Sequence, residues 1–400
     1  MQINLNENKR LGLYVHIPFC LSKCAYCDFN SVVPQSNELI TKYVDALIAH
    51  MESYREAAKV YEPDTVFIGG GTPTAIPKEE LVRLIKAIKK NFNLTRRAEF
   101  TVEANPATVT YSTLVKLRRL GVNRISMGLQ SAHDNELKAL SRLHSRRDFV
   151  QSFRMARDAK IENINVDLMF GIPHQTYNSL MHTIRYVSSL SPDHISLYDL
   201  KIERGTPFAN NFTEIRPLLP DEDTEADMYL GAIELLKDNG YLQYEISNFA
   251  RPGKMCLHNL KYWNCDEYLG FGVSAHSYFN GNRFSFTGDI DRYIEGVSVR
   301  ESKVKITENL EKVEERERMG EYIMLRLRLT DGIDGREFTR RFGFSFENLY
   351  GAKCKRFIQN GFMTAGNGRY ALTPAGMFIS NYIISDILEF EDFGKYYFGG

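Results

Sequence analysis

The sequence has no excess of charge of either sign. Lys and Arg total 50 and Asp and Glu total 50, so the 400 residues carry no net charge. Such a chain has no overall field to attract nucleic acid or anionic lipid, and we expect no nucleic-acid partner. It also lacks an apolar run that could span a bilayer, so any membrane association would be peripheral. Residues 1–10 lack the features of a signal or transit peptide, which predicts a cytoplasmic protein.

Cysteine is scarce and unevenly distributed. The chain has six cysteines, too few for a disulfide scaffold at this length. Cys20, Cys24 and Cys27 lie in one short segment, whereas the other three are scattered through the C-terminal half. In a reducing compartment, such clustering favours metal binding over disulfides.

Strand-like and helical segments alternate in the N-terminal half, which is typical of parallel βαβ units. The predicted strands are Leu13–His16, Thr65–Ile68, Glu99–Glu103, Arg124–Ser126, Asn165–Leu168 and His194–Tyr198. These are fewer than the eight strands of a complete barrel, so the predicted class is α/β, a partial (β/α)6 TIM-like barrel. We place the barrel at residues 1–205, a loop-rich cap at residues 206–305 and a C-terminal domain at residues 306–400.

The C-terminal half alternates between helical, hairpin and irregular patterns. The predicted elements are the helix Asp221–Asn239, the strand Tyr241–Ser247, an irregular segment at residues 252–278, a charged helix at Glu308–Arg328, the helices Gly335–Phe342 and Phe346–Asn360, and a hairpin at Gly361–Leu372. Two helices followed by a hairpin predict a small helical, winged-helix-like C-terminal domain.

The spacing of the clustered cysteines, CxxxCxxC, suits an iron–sulfur cluster. A zinc site, the alternative reading, would require a fourth Cys or His nearby, and the next three residues supply none. A cubane held by three thiolates leaves one iron open. The segment also resembles the signature of the radical SAM superfamily. The resemblance implies a [4Fe–4S] cluster on Cys20, Cys24 and Cys27, whose open iron binds S-adenosylmethionine (SAM) and delivers the electron that cleaves it to a 5′-deoxyadenosyl radical.

Glycines and polar residues fall just after successive predicted strands, where βα barrels build their sites. The glycines of residues 69–71 permit close approach of backbone amides to a ligand, although such turns often contain glycine for steric reasons alone. Glu103 ends the third strand, Gln130 lies beyond the fourth and Asp167 closes the fifth. We place Arg142 in the helix after Gln130. Each of these residues could instead be an ordinary surface charge or a hydrogen-bonded polar group at the end of the barrel. Their shared position at that end favours a common functional site.

The stretch 14–198 resembles the oxygen-independent coproporphyrinogen III oxidase-like (HemN-like) family through YVHIPFCxxxCxxC, GGGTPT, SMGLQS and DLMFGIP. The resemblance implies that the matching positions bind SAM: Tyr14, Tyr26, Gly70, Gly71, Thr72, Glu103, Gln130, Arg142 and Asp167. The glycine loop would hold the SAM amino group, and Arg142 would pair with its carboxylate. Tyr14 and Tyr26 could equally be core aromatics.

Two features separate this chain from the dehydrogenase of that family. The dehydrogenase has a fourth cysteine two residues after the third, where this sequence has Phe29. The chain also begins only a short distance before Cys20, so we expect little room for the dehydrogenase's substrate-contacting N-terminal segment. Both features place decarboxylation of coproporphyrinogen III in doubt.

Residues 258–263 match the HNxxYW motif of the HemW branch of the family, haem-binding relatives proposed to be haem chaperones. The resemblance implies haem contact by His258, Asn259, Tyr262 and Trp263. An imidazole nitrogen can bind haem iron, and aromatic rings offer flat faces to the porphyrin. A histidine beside aromatics is nevertheless more often simply packed. Further candidate ligands are Cys256, Cys265 and His276.

The sequence therefore supports two alternative functions, both of which would use the [4Fe–4S] cluster and SAM. The first is a haem chaperone that binds the cluster, SAM and haem, receives electrons from a flavodoxin or ferredoxin, and transfers haem to an acceptor protein. The second is oxygen-independent coproporphyrinogen III dehydrogenase, a radical decarboxylase of haem biosynthesis, so whether the chain is an enzyme stays open. A third possible function is nucleic-acid binding through a C-terminal basic cluster. The ordinary explanation of that cluster, a solvent-exposed helix face, is the stronger one. That cluster comprises Arg336, Arg340, Arg341, Lys353, Lys355 and Arg356.

Overall fold

The computed structural model describes residues 9–106, 108–298 and 305–389. Its strands are β1 (Lys9–Ile17), β2 (Tyr61–Gly70), β3 (Glu99–Ala104), β4 (Arg124–Gln130), β5 (Asn163–Phe170), β6 (His194–Asp199), β7 (Leu242–Gln243), β8 (Asn248–Ala250), β9 (Tyr268–Phe271), β10 (His276–Phe279), β11 (Asn282–Phe286), β12 (Thr307–Lys312), β13 (Ile333–Asp334), β14 (Met363–Gly366) and β15 (Arg369–Leu372).

The α-helices cover the sheet strands and form most of the C-terminal region. They are α1 (Asn37–Tyr54), α2 (Lys78–Asn91), α3 (Tyr111–Arg119), α4 (Asp134–Ala139), α5 (Arg146–Asp158), α6 (Tyr177–Ser189), α7 (Pro207–Asn210), α8 (Phe212–Ile215), α9 (Glu222–Asp238), α10 (Leu257–Trp263), α11 (Ile290–Ser298), α12 (Glu315–Arg326), α13 (Gly335–Phe342), α14 (Phe346–Gln359), α15 (Pro374–Phe378) and α16 (Ser380–Leu388). Two 3₁₀ turns lie at Pro73–Ala75 and Arg216–Leu218.

The chain divides into two compact units, which we number. Unit 1 is built from the described residues of 1–167, 201–214 and 266–312, and unit 2 from those of 168–200, 215–265 and 313–400. The division differs from the predicted three consecutive domains because segments of each unit alternate along the chain. The bounds at 205 and 305 stay predictions.

Unit 1 is built on a mainly parallel sheet. Its strands run in the order β12, β11, β10, β9, β1, β2, β3 and β4, followed by the first part of β5. β1 pairs in parallel with β2 and β9, so that Tyr14 lies opposite Phe67 and Gly270. β2, β3 and β4 are also mutually parallel. Parallel strands bring their carboxyl ends to one edge, so the loops after β1 to β4 lie together there.

Local sequence signals set where the helices of unit 1 begin. The Ser36 side chain accepts a hydrogen bond from the Leu39 amide and starts α1. Ser145 and Asp148 form a reciprocal capping box at the start of α5. Each interaction satisfies amides that the first helical turn leaves unpaired. The strands between these helices are buried almost throughout, as in β4, because helices cover a parallel sheet.

Unit 2 combines a short sheet with the C-terminal helices. β6 pairs antiparallel with β8, and β8 with β7, while α6 packs against α9. A second sheet has the order β13, β15, β14. The hairpin of β14 and β15 turns at Asn367 and Gly368, both with positive φ, as a tight hairpin turn requires. With α13 and α14 before it, this hairpin gives the helix, helix and hairpin order predicted from the sequence.

The structure confirms the α/β class and the six predicted strands of the N-terminal half, each somewhat longer than predicted. The predicted helix at Asp221–Asn239 is confirmed as α9, whose N-cap is Asp221. Among the described residues, no helix combines the length and the apolar character needed to cross a membrane.

Three predicted elements are wrong. Tyr241–Ser247 is not one strand, because the Glu245 side chain accepts from the Ser247 amide at 3.0 Å and turns the chain between β7 and β8. Glu308–Arg328 is not one helix, since its first residues pair with β11 as β12 and α12 begins after a capping box at Glu314. Residues 252–278 are not wholly irregular, because they contain α10 and β9.

Candidate functional site

The three clustered cysteines lie on a loop that is closed at its base. Cys20 is buried, and Cys24 and Cys27 are half-buried. Phe19 and Val32 form an isolated parallel bridge, and the Cys20 amide donates to the Val32 carbonyl at 3.0 Å. The thiol loop, residues 20–30, lies within this closure and carries all three sulfurs.

The thiol loop does not form a site for one metal ion. Within the described residues, no group of three or more His, Cys, Asp or Glu side chains converges to hold a single ion. This arrangement is compatible with a cubane because each of its three thiolates binds a different iron. Burial raises the pKa of the Cys27 thiol to about 11, so iron that binds there displaces a proton.

The glycines after β2 bring the backbone directly against the thiol loop. The Gly71 amide donates to the Ile17 carbonyl at 2.8 Å, and the Thr72 amide donates to the Phe19 carbonyl at 2.8 Å. A Cβ atom at Gly71 would lie 2.9 Å from Cys20 Sγ and 2.8 Å from the Phe19 carbonyl oxygen. Position 71 therefore accommodates only glycine without displacement of the loop. Thr72 Oγ1 lies 3.6 Å from Cys20 Sγ.

The carboxyl group of Glu103, near the end of β3, has an unusual pKa. Its Oε2 accepts a hydrogen bond from the Gly70 amide at 3.0 Å. Burial and the negative charge of Asp167 raise the pKa to about 8, although the Gly70 amide and the Arg124 cation oppose the rise. A cation bound beside Glu103 would favour the ionised carboxylate. The position therefore suits a positively charged amino group.

Asp167, on β5, is held by two side chains. Ser126 Oγ donates to Asp167 Oδ2 at 3.1 Å, and Asn165 Nδ2 donates to Asp167 Oδ1 at 2.7 Å. Asn165 Nδ2 also donates to Ser126 Oγ at 2.7 Å. The three side chains form a closed ring between β4 and β5, which fixes the orientation of the Asp167 carboxylate.

Two side chains at this edge contain buried atoms that the described residues leave unsatisfied. Gln130 closes β4 in a left-handed conformation, φ 68°, and its Oε1 has no hydrogen-bond partner in the described part of the chain. Arg142 is half-buried, and its Nη2 donates to Asn105 Oδ1 at 2.9 Å and to the Gly128 carbonyl at 3.2 Å, but its Nε has no such partner. Both atoms are therefore available to a ligand at this edge.

Arg142 also contacts the thiol loop. Its Nη1 lies 3.5 Å from Cys24 Sγ, and the Ala25 amide donates to the Leu140 carbonyl at 3.3 Å. The prediction that Arg142 lies in a helix is wrong, since α4 ends at Ala139 and α5 begins later. Ser141 has a φ of 59°, which breaks the helix and turns Arg142 toward the thiols.

The two predicted tyrosines have different neighbours. The Tyr14 hydroxyl lies 3.0 Å from His16 Nδ1, and burial raises its pKa. Burial also raises the pKa of Tyr26, against the effect of the neighbouring Arg142 cation. The sequence reasoning missed His16 and Asn105. His16 had a signal, since it follows Tyr14 by two residues and shares its face of β1. Asn105 also had one, since it lies just after the third predicted strand, where βα barrels build their sites.

In unit 2, the HNxxYW residues form the short helix α10. His258 is 1% exposed, and its Nε2 lies 2.9 Å from the Tyr262 hydroxyl, with the rings at 87°. The pair is bonded because residues four apart meet on one helix face. Asn259 and Trp263 are half-buried. The structure therefore joins His258 to Tyr262 and leaves the roles of the other two as predictions.

The start of α10 is tied to β6 by side chains that the sequence reasoning missed. The Cys256 amide donates to the Tyr244 hydroxyl at 3.2 Å, and that hydroxyl lies 2.7 Å from His194 Nε2. All three residues are buried. Cys256 thus caps the helix in a buried position, whereas Cys265 is half-buried just after it with a φ of 56°.

The remaining predicted residues lie elsewhere. His276 is exposed on β10 in unit 1, so it belongs to a different unit from α10. Several cations of the C-terminal basic cluster have acidic partners: Arg340 and Arg341 with Glu337, Lys353 with Glu389, and Arg356 with Asp386.

Comparison with known families places these features in one class. Residues 14–187 match the Radical SAM superfamily, and residues 313–379 match the HemN C-terminal domain. The solved structure of coproporphyrinogen III oxidase (HemN) from Escherichia coli, described as a radical SAM enzyme, superposes with a TM-score of 0.83 at 22% identity and covers 96% of this chain and 91% of that one. The fold and the thiol loop are those of a radical SAM protein.

Curated relatives narrow the class. The heme chaperone HemW of Bacillus subtilis is 36% identical over 94% of this chain and 98% of its own length, and that of E. coli is 32% identical over 94% and 97%. The bovine radical S-adenosyl methionine domain-containing protein 1, mitochondrial, is 36% identical over 68% of this chain and 61% of its own length. The chain belongs to the HemW branch of the HemN-like radical SAM family.

This family implies a [4Fe–4S] cluster and SAM, and the residues present fit both. Three thiols on a closed loop suit three irons of a cubane. A charged, polar ligand beside the cubane would fit four features of this edge. They are the unsatisfied Gln130 Oε1 and Arg142 Nε, the raised pKa of Glu103 and the close approach of Gly71 to Cys20.

Proposed function

We propose that this protein is a haem chaperone that binds a [4Fe–4S] cluster, SAM and haem and transfers the haem to an acceptor protein. The observation that carries the proposal is the similarity, along nearly the whole chain, to proteins named heme chaperone HemW. The HNxxYW helix and the absence of the dehydrogenase's fourth cysteine support it.

In this proposal, unit 1 holds the radical SAM machinery. Cys20, Cys24 and Cys27 would hold the cluster, which when bound supplies one electron and an open iron for SAM. Arg142 would bind the SAM carboxylate through its planar fork. Glu103 would receive the amino group, and since its pKa is about 8, it would lose its proton as that cation arrives. The remaining predicted positions would line the same edge: Tyr14, Tyr26, Gly70, Gly71, Thr72, Gln130 and Asp167.

Haem would bind at α10, with the His258 imidazole as iron ligand. Nε2 is bonded to the Tyr262 hydroxyl, so ligation through Nε2 exchanges that hydrogen bond for a bond to iron. The rings of Tyr262 and Trp263 would then offer apolar faces to the porphyrin. Asn259 would complete the predicted contact set.

Phe29 argues against the dehydrogenase as the main function. It occupies the position of the dehydrogenase's fourth cysteine, is 50% exposed, and has no atom that could bind iron. The HemN structure shares the fold at 22% identity, which is no evidence for a shared reaction.

The partners of the protein are part of the proposal. Leu21 is 58% exposed, and Lys23, also exposed, reaches the Phe29 carbonyl at 3.4 Å. Asp28 is exposed on the same loop, so this small surface is mainly apolar and would suit an electron donor such as flavodoxin or ferredoxin. The haem acceptor, a cytoplasmic location and any peripheral contact with a membrane are likewise proposals.

The experiment is a paired assay on anaerobically reconstituted protein. One arm titrates haem and follows the Soret band, and the other supplies coproporphyrinogen III, SAM and reductant and analyses the porphyrins for vinyl groups. We expect stoichiometric haem binding and no vinyl product. Vinyl product accompanied by deoxyadenosine, with only loose haem binding, would return the protein to the dehydrogenases.

A further inference from the structure

Asn30, the last residue of the thiol loop, is held from three directions. Its Nδ2 donates to Ser274 Oγ at 2.7 Å and to the Gly288 carbonyl at 2.8 Å. Its own carbonyl oxygen lies 3.0 Å from His16 Nε2. Asn30 lies three residues after Cys27 and two before Val32. Its contacts therefore hold the C-terminal end of the thiol loop, in addition to the bridge between Phe19 and Val32 at the base.

The partners of the Asn30 amide form one structural piece of unit 1, which we call the anchor, residues 272–288. The Ser274 amide donates to the Thr287 carbonyl at 3.1 Å, which joins the two ends of the anchor. Ser274 has a φ of 53°, a conformation that costs free energy for a residue with a side chain and often marks a functional constraint. The strained backbone places Ser274 Oγ where it receives the Asn30 amide.

The anchor is also tightly packed where Asn30 arrives. A Cβ atom at Gly288 would lie 3.0 Å from Asn30 Nδ2 and 3.1 Å from Ser274 Oγ. A side chain at 288 would therefore press on the Asn30 amide, whereas glycine lets the amide reach the backbone carbonyl. Two independent features of the anchor, the φ of Ser274 and the lack of a side chain at Gly288, are thus matched to one side chain of the thiol loop.

The contact with His16 fixes that ring and extends the network to Tyr14. A carbonyl oxygen only accepts hydrogen bonds, so His16 Nε2 carries the proton and donates to Asn30. Nδ1 is then an acceptor, and the Tyr14 hydroxyl donates to it. Tyr43, on α1, connects the same strand to the anchor, because its hydroxyl donates to the His16 carbonyl at 3.0 Å and accepts from the Val273 amide at 3.0 Å.

We propose that Asn30 is a positioning residue for the [4Fe–4S] cluster and that the anchor holds the thiol loop in the shape that receives it. Three thiols must match three irons at once, so a loop that is ordered beforehand avoids the entropy cost of ordering on binding. The proposal goes beyond the haem-chaperone function and does not depend on it. It assigns to residues distant in sequence a role in the stability of the cluster.

The test compares Asn30→Ala and Ser274→Gly with a matched control, Asn91→Ala. Ser274→Gly keeps the positive φ accessible while it removes the hydroxyl. Asn91 Nδ2 donates to the Ala87 carbonyl at 3.1 Å on α2, so the control removes the same kind of bond from unit 1 outside the thiol loop and the anchor. Two readouts are measured: the rate of cluster loss to an iron chelator, and the rate of alkylation of the cluster thiols in the apoprotein.

We expect both rates to rise about five- to tenfold in Ser274→Gly, the effect of one lost hydrogen bond, and at least as much in Asn30→Ala, which loses two. Both rates should stay at the parent value in Asn91→Ala. Electron paramagnetic resonance of the reduced cluster should also lose part of its response to SAM in Asn30→Ala and Ser274→Gly only. Unchanged rates in Ser274→Gly, or equal increases in Asn91→Ala, would overturn the proposal. If Asn30→Ala does not fold, Ser274→Gly decides the outcome alone.

Discussion

The two candidate sites of this molecule are organised in opposite ways. In unit 1 the predicted cofactor residues come from several strands and from the loops that follow them, and the structure leaves Gln130 Oε1 and Arg142 Nε without hydrogen-bond partners among the described residues. In unit 2 the HNxxYW residues come from one helical turn, and His258 is bonded to Tyr262 within it. The site in unit 1 has polar atoms available to a ligand. At the site in unit 2, the hydrogen bond between His258 and Tyr262 has to break before His258 Nε2 can bind a ligand.

The largest effect that separates the two sites is expected from Cys24→Ala. With one of three thiolates lost, the cluster should not assemble, while haem binding at α10 should persist because no cluster thiol belongs to that helix. Iron and sulfide content and a haem titration measure the two effects. Cys354→Ala is the control, since burial raises the pKa of that thiol to about 12 and makes it an inert core residue. Loss of haem binding in Cys24→Ala would show that the haem site depends on the cluster site.

The next effect concerns Arg142. Arg142→Met removes a half-buried cation and its planar fork, and we expect SAM affinity to fall about 30-fold, as for a hydrogen-bonded charge pair that loses one partner. Equilibrium dialysis of the reconstituted protein with SAM measures the change. Arg147→Met, an exposed position on α5, should bind SAM as the parent does. An affinity within a few-fold of the parent would remove Arg142 from the SAM site.

Glu103 should make SAM binding depend on pH. Its pKa rises from an ordinary 4.5 to about 8 on folding, so the folded apoprotein retains a proton that the unfolded chain has lost. Its contribution to the free energy of unfolding therefore falls as pH rises from 4.5 to about 8, by up to a few kcal/mol. Ionisation should also strengthen attraction for the SAM amino group, so SAM affinity should increase through the same range.

Glu103→Gln should remove the Glu103 contribution to both trends, while the contribution of Glu245 to stability, whose pKa burial raises to about 7, should remain. Thermal unfolding of the apoprotein and calorimetric SAM titration, each across this pH range, provide the measurements. A parent protein whose stability and SAM affinity depend on pH no more than those of the variant would show that Glu103 is ionised throughout.

The smallest expected effect concerns the hydrogen bond at the haem site of unit 2. Tyr262→Phe keeps the aromatic ring but removes the hydroxyl that is bonded to His258 Nε2. We expect haem affinity to rise about fivefold, since one internal hydrogen bond, worth about 1 kcal/mol, no longer competes with iron. A Soret titration measures it, with Tyr268→Phe on β9 as the control. Weaker haem binding in Tyr262→Phe would show that the hydroxyl contributes to the haem site.

The fold was largely predictable because its signals are local. Apolar periodicity and turn residues located the six strands of the N-terminal half and the helices α9, α13 and α14. The failures occurred where one pattern fits two structures. The charged run after Glu308 is almost wholly exposed where it pairs with β11 as β12, so only the neighbouring strand decides between helix and strand.

The site was predictable to the extent that motifs carry it. Cysteine spacing and the family resemblance identified the thiols and the strand-end residues. They could not reveal that Asn30 reaches Ser274 and Gly288, because those contacts join segments more than 240 residues apart. They also did not show that His258 is bonded to Tyr262, since the motif gives spacing but no information on which polar atoms satisfy one another.

The most direct test of the account is an anaerobic haem titration of the reconstituted parent, His258→Ala and His276→Ala, followed by the Soret band. The absorption of the iron–sulfur cluster serves in each sample as the check that unit 1 is intact. We expect stoichiometric haem binding in the parent and in His276→Ala, and a weakened, shifted Soret band in His258→Ala. Unchanged binding in His258→Ala, or loss of binding in His276→Ala alone, would contradict haem ligation at α10.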